Sequence, residues 1–367
     1  MIKQYYKQAL AQLRQHPLIS IIGIVGTALS IFLIMLVVMM QQVKVAPFSP
    51  ESNRNRFLHV HYMSISHKDW GNGTSNGSMS VQTAREVYKS LKTPEAVTVY
   101  CCMTVSTPVS LPGAPAIGAD VRETDDTFFH VFDFQFTDGK PYDEATFTAG
   151  RPVAVITESI SRALFGSIQS VGKEFLLSHA PYRVVGVVKD VSTLADMAYG
   201  QVWIPFTSTN LSNDTWSDNH MGMMSVTLLA HDREDFDEIR AEAKRRMNEY
   251  NSILADQGYT LIDRNRPYDQ ETQSISFAAN LEPDLKAARR ERVIIFIILL
   301  LVPAINLSSM TQSRLRQRVA EIGVRRAFGS TRIEMVGQIV MENLVITLLA
   351  GAIGLLISIL FAYWGTD

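Results

Sequence analysis

Few residues in this chain have the types and spacing that chemistry needs. Its two cysteines, Cys101 and Cys102, are adjacent. Neighbouring cysteines bridge only with strained geometry. No Cys-x-x-Cys spacing or Cys/His set accompanies them, so they read as packing residues rather than a redox pair or metal ligands. His59 and His61 alternate, and His67 follows. Alternate strand residues project to one face, but no carboxylate or cysteine completes a metal site, and a half-exposed strand pair is predicted. The run Gly166–Glu174, GSIQSVGKE, invites comparison with a phosphate-binding loop. That motif needs four residues between its glycines and Ser or Thr after the lysine. Here five residues separate Gly166 from Gly172, and Glu174 follows Lys173. The backbone N–H cradle is misplaced and no hydroxyl is available for magnesium. There is no GxSxG or HExxH arrangement either. The polar run Gly71–Ser78 reads as a flexible connector rather than a ligand loop. No enzyme activity, metal or cofactor of the chain's own is expected.

The elements around these residues point to a membrane. The chain has 367 residues, 47% apolar, with 34 basic and 36 acidic side chains. That balance gives no global basic field for nucleic acid. Three charge-free runs stand out: Leu18–Met40 with 23 residues, Val293–Met310 with 18 and Asn343–Trp364 with 22. A bilayer crossing takes roughly 20 apolar residues. The first run is longer than a signal-peptide core, and Gln41-Gln42-Val43-Lys44 offers no small-residue cleavage site, so it reads as a retained helix. Pro303 and Asn306 interrupt the second run and imply a kink or a polar contact buried against a neighbouring helix. In the third, Gly351, Gly354 and Ser358 are small residues on one helix face. They are expected to receive a further helix beyond the third.

Basic residues in short segments set the orientation. The first 17 residues carry Lys3, Lys7 and Arg14 and no acid. Residues 311–335 carry Arg314, Arg316, Arg318, Arg325, Arg326 and Arg332 against Glu321 and Glu334. Both segments are predicted to be cytoplasmic, which places residues 41–292 outside. Lys286, Arg289, Arg290 and Arg292 then lie on the outer side, against the local rule, from which long translocated domains are largely exempt.

The fold class that follows is a membrane protein of transmembrane α-helices, with an α+β domain of two subdomains inserted between the first and second helices. Strands are predicted at Arg56–Met63, Ala96–Val105, Arg151–Ile156, Phe175–Leu177, Tyr182–Val188 and Met224–Ala230. Helices are predicted at Val81–Leu91 with Ser80 as cap, Thr157–Phe165 ended by Gly166, Arg233–Tyr250, and Phe277–Arg292 running into the second span. One subdomain is expected as an insertion near 140–205.

The most informative stretch is Asn306–Glu334. It reads as a basic helix leaving the membrane, a short helix carrying a Glu321–Arg325 i,i+4 pair, a break at Gly329-Ser330, and re-entry. Arg318, Glu321, Ile322, Gly323, Val324, Arg325, Arg326, Ala327, Phe328, Gly329 and Ser330 follow the pattern R-x-x-E-I-G-[IV]-R-[RK]-A-[LF]-G-[AS], and Gln338 and Glu342 supply a later Q-x-x-x-E. In these residues the chain resembles the FtsX/MacB family of ABC transporter permeases. The outer region is similar to the MacB-like periplasmic core domain at Thr127–Phe134, Pro152–Gly166, Val171–Lys173 and Tyr182–Asp190, so the resemblance runs along almost the whole chain.

The resemblance implies a multi-pass protein of the bacterial inner membrane. It has a cytoplasmic segment at 1–17, helices at 18–40, 293–310 and 337–364, a periplasmic domain at 41–292 and a coupling segment at 311–336. An FtsX-like permease domain is expected over 293–367, with the fourth helix usual in the family missing from it. It implies that Arg318, Glu321, Ile322, Gly323, Arg325, Arg326, Ala327, Phe328 and Gly329 couple to a cytoplasmic ATPase, which itself binds ATP and magnesium. Pro303, Asn306, Gly351 and Gly354 are expected to pack helices. The expected partners are that ATPase, a second permease chain in a homodimer or heterodimer, a periplasmic adaptor or outer-membrane factor, and lipid, with no nucleic acid. The function implied is transmission of ATP-driven motion to a periplasmic domain for export or extraction of a substrate. The alternative is a regulatory permease that controls a periplasmic partner and moves nothing. A membrane-anchored binding protein unrelated to ATP is a third class, and the pattern at 318–330 argues against it.

Overall fold

The computed structural model describes residues 17–210, 213–317 and 319–365. The chain divides into two compact units, one built from its two ends up to Gln42 and from Leu285 onward, the other from Val43–Asp284.

The first unit is helical. Its helices are Pro17–Val45, Leu285–Gln317, Val319–Ala327 and Arg332–Gly365. Three are long and apolar enough to cross a membrane, within Ile21–Val45, Leu285–Ser313 and Arg332–Trp364. At 33 residues the second spanning helix is about 50 Å long, well beyond the ~30 Å of a bilayer's hydrocarbon core, so it carries its basic ends past the apolar window. The sequence places its start near Phe277, but helix begins at Leu285. Pro283 accounts for this, because the residue before a proline is driven out of helical geometry. Pro303 lies inside a continuous helix.

Small and polar residues join these helices. The Asn306 amide donates to Gly23 O at 3.4 Å and to Thr27 Oγ1 at 3.3 Å on the first helix. Asn343 Nδ2 donates to Thr311 Oγ1 at 2.9 Å between the third and second. Gly354 is buried against the first helix, where a Cβ would meet Ala28 O at 2.6 Å and Ile31 Cβ at 3.1 Å. Phe32 and Phe361 pack edge to face 5.7 Å apart. The small-residue face predicted to await a further helix is therefore filled from within the chain, since a missing side chain lets another backbone approach wherever it comes from.

The second unit is built on β1 (Phe57–Val60), β2 (Met63–His67), β3 (Thr74–Met79), β4 (Ala96–Cys101), β5 (Val105–Ser110), β6 (Ile117–Thr124), β7 (Phe136–Gly139), β8 (Val153–Thr157), β9 (Glu174–Leu177), β10 (Ala180–Val188), β11 (Val202–Pro205), β12 (Met221–Gly222), β13 (Met224–Leu229), β14 (Tyr259–Ile262) and β15 (Tyr268–Asp269). The single strand predicted over Arg56–Met63 is two, interrupted at His61-Tyr62. Part of the predicted connector, Thr74–Ser78, belongs to β3.

The strands sort into two regions. In one, β4 and β1 flank β13, and β3, β2 and β14 continue the sheet. Helix Phe236–Leu254 covers it, burying Phe236, Ile239, Ala243, Met247, Tyr250 and Leu254, a spacing that keeps one face of a 3.6-residue period inward. In the other, β5, β6, β11, β8, β10 and β9 pair successively and β9 returns to β5, closing a ring. Val109, Val121, Ile156, Phe175, Leu177, Val184 and Val202 fill it, each contributing about 1.5–3 kcal/mol of burial. The ring begins at Val105, upstream of the 140–205 insertion expected from sequence, because β5 and β6 close it. Beside it, Thr157 Oγ1 accepts from Ile160 N and left-handed Gly166 at φ 69° ends helix Glu158–Phe165, as the residue types predict.

Candidate functional site

The segment between the second and third long helices forms a short helix, Val319–Ala327, followed by a turn and the start of Arg332–Gly365. Gly329 has φ 92°, a left-handed geometry that glycine adopts without a Cβ penalty and that commonly stops helices. The next helix opens with a reciprocal cap: Thr331 N donates to Glu334 Oε2 at 2.9 Å and Glu334 N to Thr331 Oγ1 at 3.3 Å. Both ends of the turn are thus fixed by local chemistry.

Apolar residues on this segment face outward. Val319, Val324 and Phe328 are 66%, 57% and 89% exposed, and Ile333 is 85% exposed. A Cβ built on Gly323 meets nothing within 4 Å. Glycine inside an exposed helix costs about 1 kcal/mol relative to alanine, and no packing among the described residues requires it there. Ile322 is half-buried, and Arg326 and Ala327 are exposed. Arg318 and the side chains of Glu321 and Arg325 lie outside the described residues. Farther along, Gln338 Nε2 donates to Glu342 Oε1 at 2.9 Å, so the Q-x-x-x-E pair is hydrogen-bonded along one helix face.

The helix-packing residues are more dispersed. Asn306 and Gly354 make the helix contacts described above. Gly351 has Ile31 Cδ1 as its nearest neighbour, at 3.7 Å. Sequence reasoning missed the other side of the packing, Gly23 and Gly26 on the first helix. A Cβ on Gly26 would come within 2.7 Å of Asn306 Nδ2. Gly23-x-x-Gly26-x-x-x-Ser30 was the available signal.

In the second unit a buried polar chain runs through the histidines. His59 Nε2 and Nδ1 lie 2.9 Å from Gln270 Oε1 and 3.1 Å from Thr227 Oγ1. The same Thr227 oxygen lies 2.9 Å from Tyr100 OH, which lies 3.3 Å from His61 Nε2. Burial, then the neighbouring His61, push His59 down to about 3, and burial pushes His61 down to about 4. Gln270 Nε2 donates to Lys44 O at 2.8 Å, so the chain ends on a carbonyl of the turn that opens the second unit. Arg54 grips the same turn through Val43 O at 2.5 Å and Ala46 O at 3.1 Å. No group of metal-ligating residues forms among the described residues. Cys101 is buried in β4 and Cys102 is partly exposed, and both are free thiols.

The family model for the MacB-like periplasmic core domain matches residues 18–246, and the model for the FtsX-like permease C-terminal matches residues 293–365. The chain is 22% identical over 361 residues to the uncharacterized ABC transporter permease YknZ of Bacillus subtilis (strain 168), covering 95% of this chain and 83% of that protein. It is 24% identical over 244 residues to the macrolide export ATP-binding/permease protein MacB of Burkholderia cenocepacia (strain HI2424), covering 66% of this chain. It spans 33% of that relative's length. The solved periplasmic region of MacB from Actinobacillus actinomycetemcomitans aligns at a TM-score of 0.38 with 19% identity, over 55% of this chain and 88% of that one.

Proposed function

This chain belongs to the FtsX/MacB family of ABC transporter permeases, and from that premise we propose that it converts the stroke of a separate cytoplasmic ATPase into movement of its periplasmic domain, exporting or extracting a substrate on the periplasmic side. The observation that carries this reading is the exposure of the apolar side chains Val319, Val324 and Phe328 on a segment with an open position at Gly323. A helix followed by a turn that is fixed at both ends and exposes Phe328 is a knob shaped for a cleft in another protein. Arg326 beside it supplies charge complementary to an acidic rim. These apolar side chains belong to the ATPase contact, together with Arg318, Glu321, Ile322, Arg325, Ala327 and Gly329.

ATP and magnesium reside in the ATPase. The protein sits in the bacterial inner membrane with 41–292 in the periplasm and 311–336 in the cytoplasm. It works as a dimer with an identical or related permease, and an adaptor or outer-membrane factor receives what it releases. The closed ring of β5, β6, β8, β9, β10 and β11 forms one subdomain of the periplasmic domain, and the region around β13 forms the other.

The test is co-purification of the tagged chain with a co-expressed ABC ATPase subunit from the same organism. Phe328→Asp and Gly323→Trp should each reduce ATPase recovery at least tenfold, since one buries a charge and the other fills the approach. Unchanged recovery in both variants would remove the coupling role.

A further inference from the structure

A cleft of about 610 Å³ opens on the periplasmic unit beside the β2–β3 connection, the hairpin before β12 and the start of β14. Trp70, Trp216 and Tyr259 form its aromatic walls, and Thr74, Ser75 and Asp218 its polar side. The two indoles are 40% and 39% exposed, yet both are held. Trp216 Nε1 donates to Ser75 Oγ at 3.0 Å. Its ring lies over Gly77, where a Cβ would come within 2.8 Å of Trp216 Cζ2. Trp70 stands edge-on to Tyr259 with centroids 5.8 Å apart, and His67 packs on both rings at 5.5 and 4.5 Å. Fixed aromatic faces open to water are what a binding cleft offers a ligand.

The carboxylate is positioned as deliberately. Ser217, Asp218 and Asn219 have φ of 51°, 50° and 68°, a left-handed run that costs free energy for non-glycine residues and persists where its surroundings hold it. The hairpin is closed by Trp216 N to Met221 O at 3.0 Å and Met221 N to Trp216 O at 3.2 Å. Asn219 Nδ2 donates to Gln82 Oε1 at 2.8 Å. Asp218 lies close enough to Tyr259 that, after burial, it is the main influence raising that phenol. Among the described residues, Asp218 joins none of the ion pairs.

We propose that this cleft binds a small organic ammonium ion, quaternary or protonated tertiary, seated on the indole faces of Trp70 and Trp216 with Asp218 as its counter-charge. A cation is drawn to the negative face of an indole, most strongly when water is displaced. The carboxylate adds Coulomb attraction that a neutral molecule of the same shape cannot use and that an anion meets as repulsion. The site is independent of the coupling segment, and its test does not involve the ATPase.

The experiment titrates the full chain in detergent with choline chloride and, separately, with 3,3-dimethylbutan-1-ol, which has choline's shape without its charge. Tryptophan fluorescence and calorimetry report binding. Choline should bind saturably, and the neutral alcohol at least about fivefold more weakly. Asp218→Asn and Trp216→Ala should each weaken choline by about fivefold or more. Asparagine tolerates the left-handed region, so Asp218→Asn keeps the loop, and an unchanged melting temperature checks this. If Trp216→Ala melts early, Asp218→Asn decides. Equal binding of choline and the alcohol, wild-type affinity in Asp218→Asn, or no saturable choline signal overturns the proposal.

Discussion

Arg54 Nε donates to Glu51 Oε2 at 2.6 Å, with the two side chains 2% and 0% exposed. The other Arg54 donors end on Val43 O, Ala46 O and Leu194 O. Glu51 Oε1 accepts from Met197 N and Ala198 N, both at 2.9 Å. One ion pair thus joins residues 43–46 to residues 194–198 within the second unit.

Breaking this pair should be costly, because one partner then remains buried and charged. Arg54→Met is expected to lose about 3–5 kcal/mol of stability, whereas Arg54→Met with Glu51→Leu should recover much of it. Denaturant unfolding of the full chain, followed by far-UV circular dichroism, measures both. A single variant as stable as wild type would show that the pair contributes little.

Acid should destabilise the periplasmic unit through His59. Its folded form is held neutral, with a value lowered from 6.5 to about 3, chiefly by burial. The unfolded chain takes up a proton below 6.5 that the folded chain refuses, so stability present above 6.5 is lost as pH falls toward 3. The slope contributed is about 1.4 kcal/mol per pH unit. His59→Gln should flatten the curve of melting temperature against pH in the acid range. Parallel curves for the two proteins would show that His59 does not set the acid limit.

Two glycines three residues apart should respond differently. At Gly354 a Cβ would meet Ala28 O at 2.6 Å, a backbone atom that cannot move aside, whereas at Gly351 the nearest atom is Ile31 Cδ1 at 3.7 Å. Gly354→Ala is expected to cost about 1–3 kcal/mol and to lower the aggregation temperature in detergent. Gly351→Ala should be near neutral. Equal losses would contradict the packing of the third helix on the first.

Topology is open to labelling in intact cells. In a cysteine-free background, an impermeant maleimide should label Lys140→Cys, exposed in the outer unit, and spare Thr331→Cys in the coupling turn. The reverse pattern would invert the orientation.

The long apolar helices and the helix break at Gly329 were legible in the residues because each rests on local or compositional chemistry. A crossing needs length and apolarity, a helix stop needs Gly329, a restart needs Thr331 with Glu334 three residues on, and none of these depends on distant contacts. The caps at Thr157 and Gly166 were readable for the same reason. Partnerships between distant segments were decided by tertiary structure. Small residues state that something approaches Gly354 without saying what, and the structure supplies Ala28 and Ile31. The strand ring was not legible, because β5 and β6 close it from upstream and pairing partners leave no mark in a strand's own alternation. Gly77 looked like part of a flexible connector, yet its missing Cβ makes room for Trp216, 139 residues away. Arg54 and Glu51 carried no sequence signal at all: a charged pair three residues apart normally sits on a surface, and only the fold places it in the interior with carbonyls and amides to satisfy it.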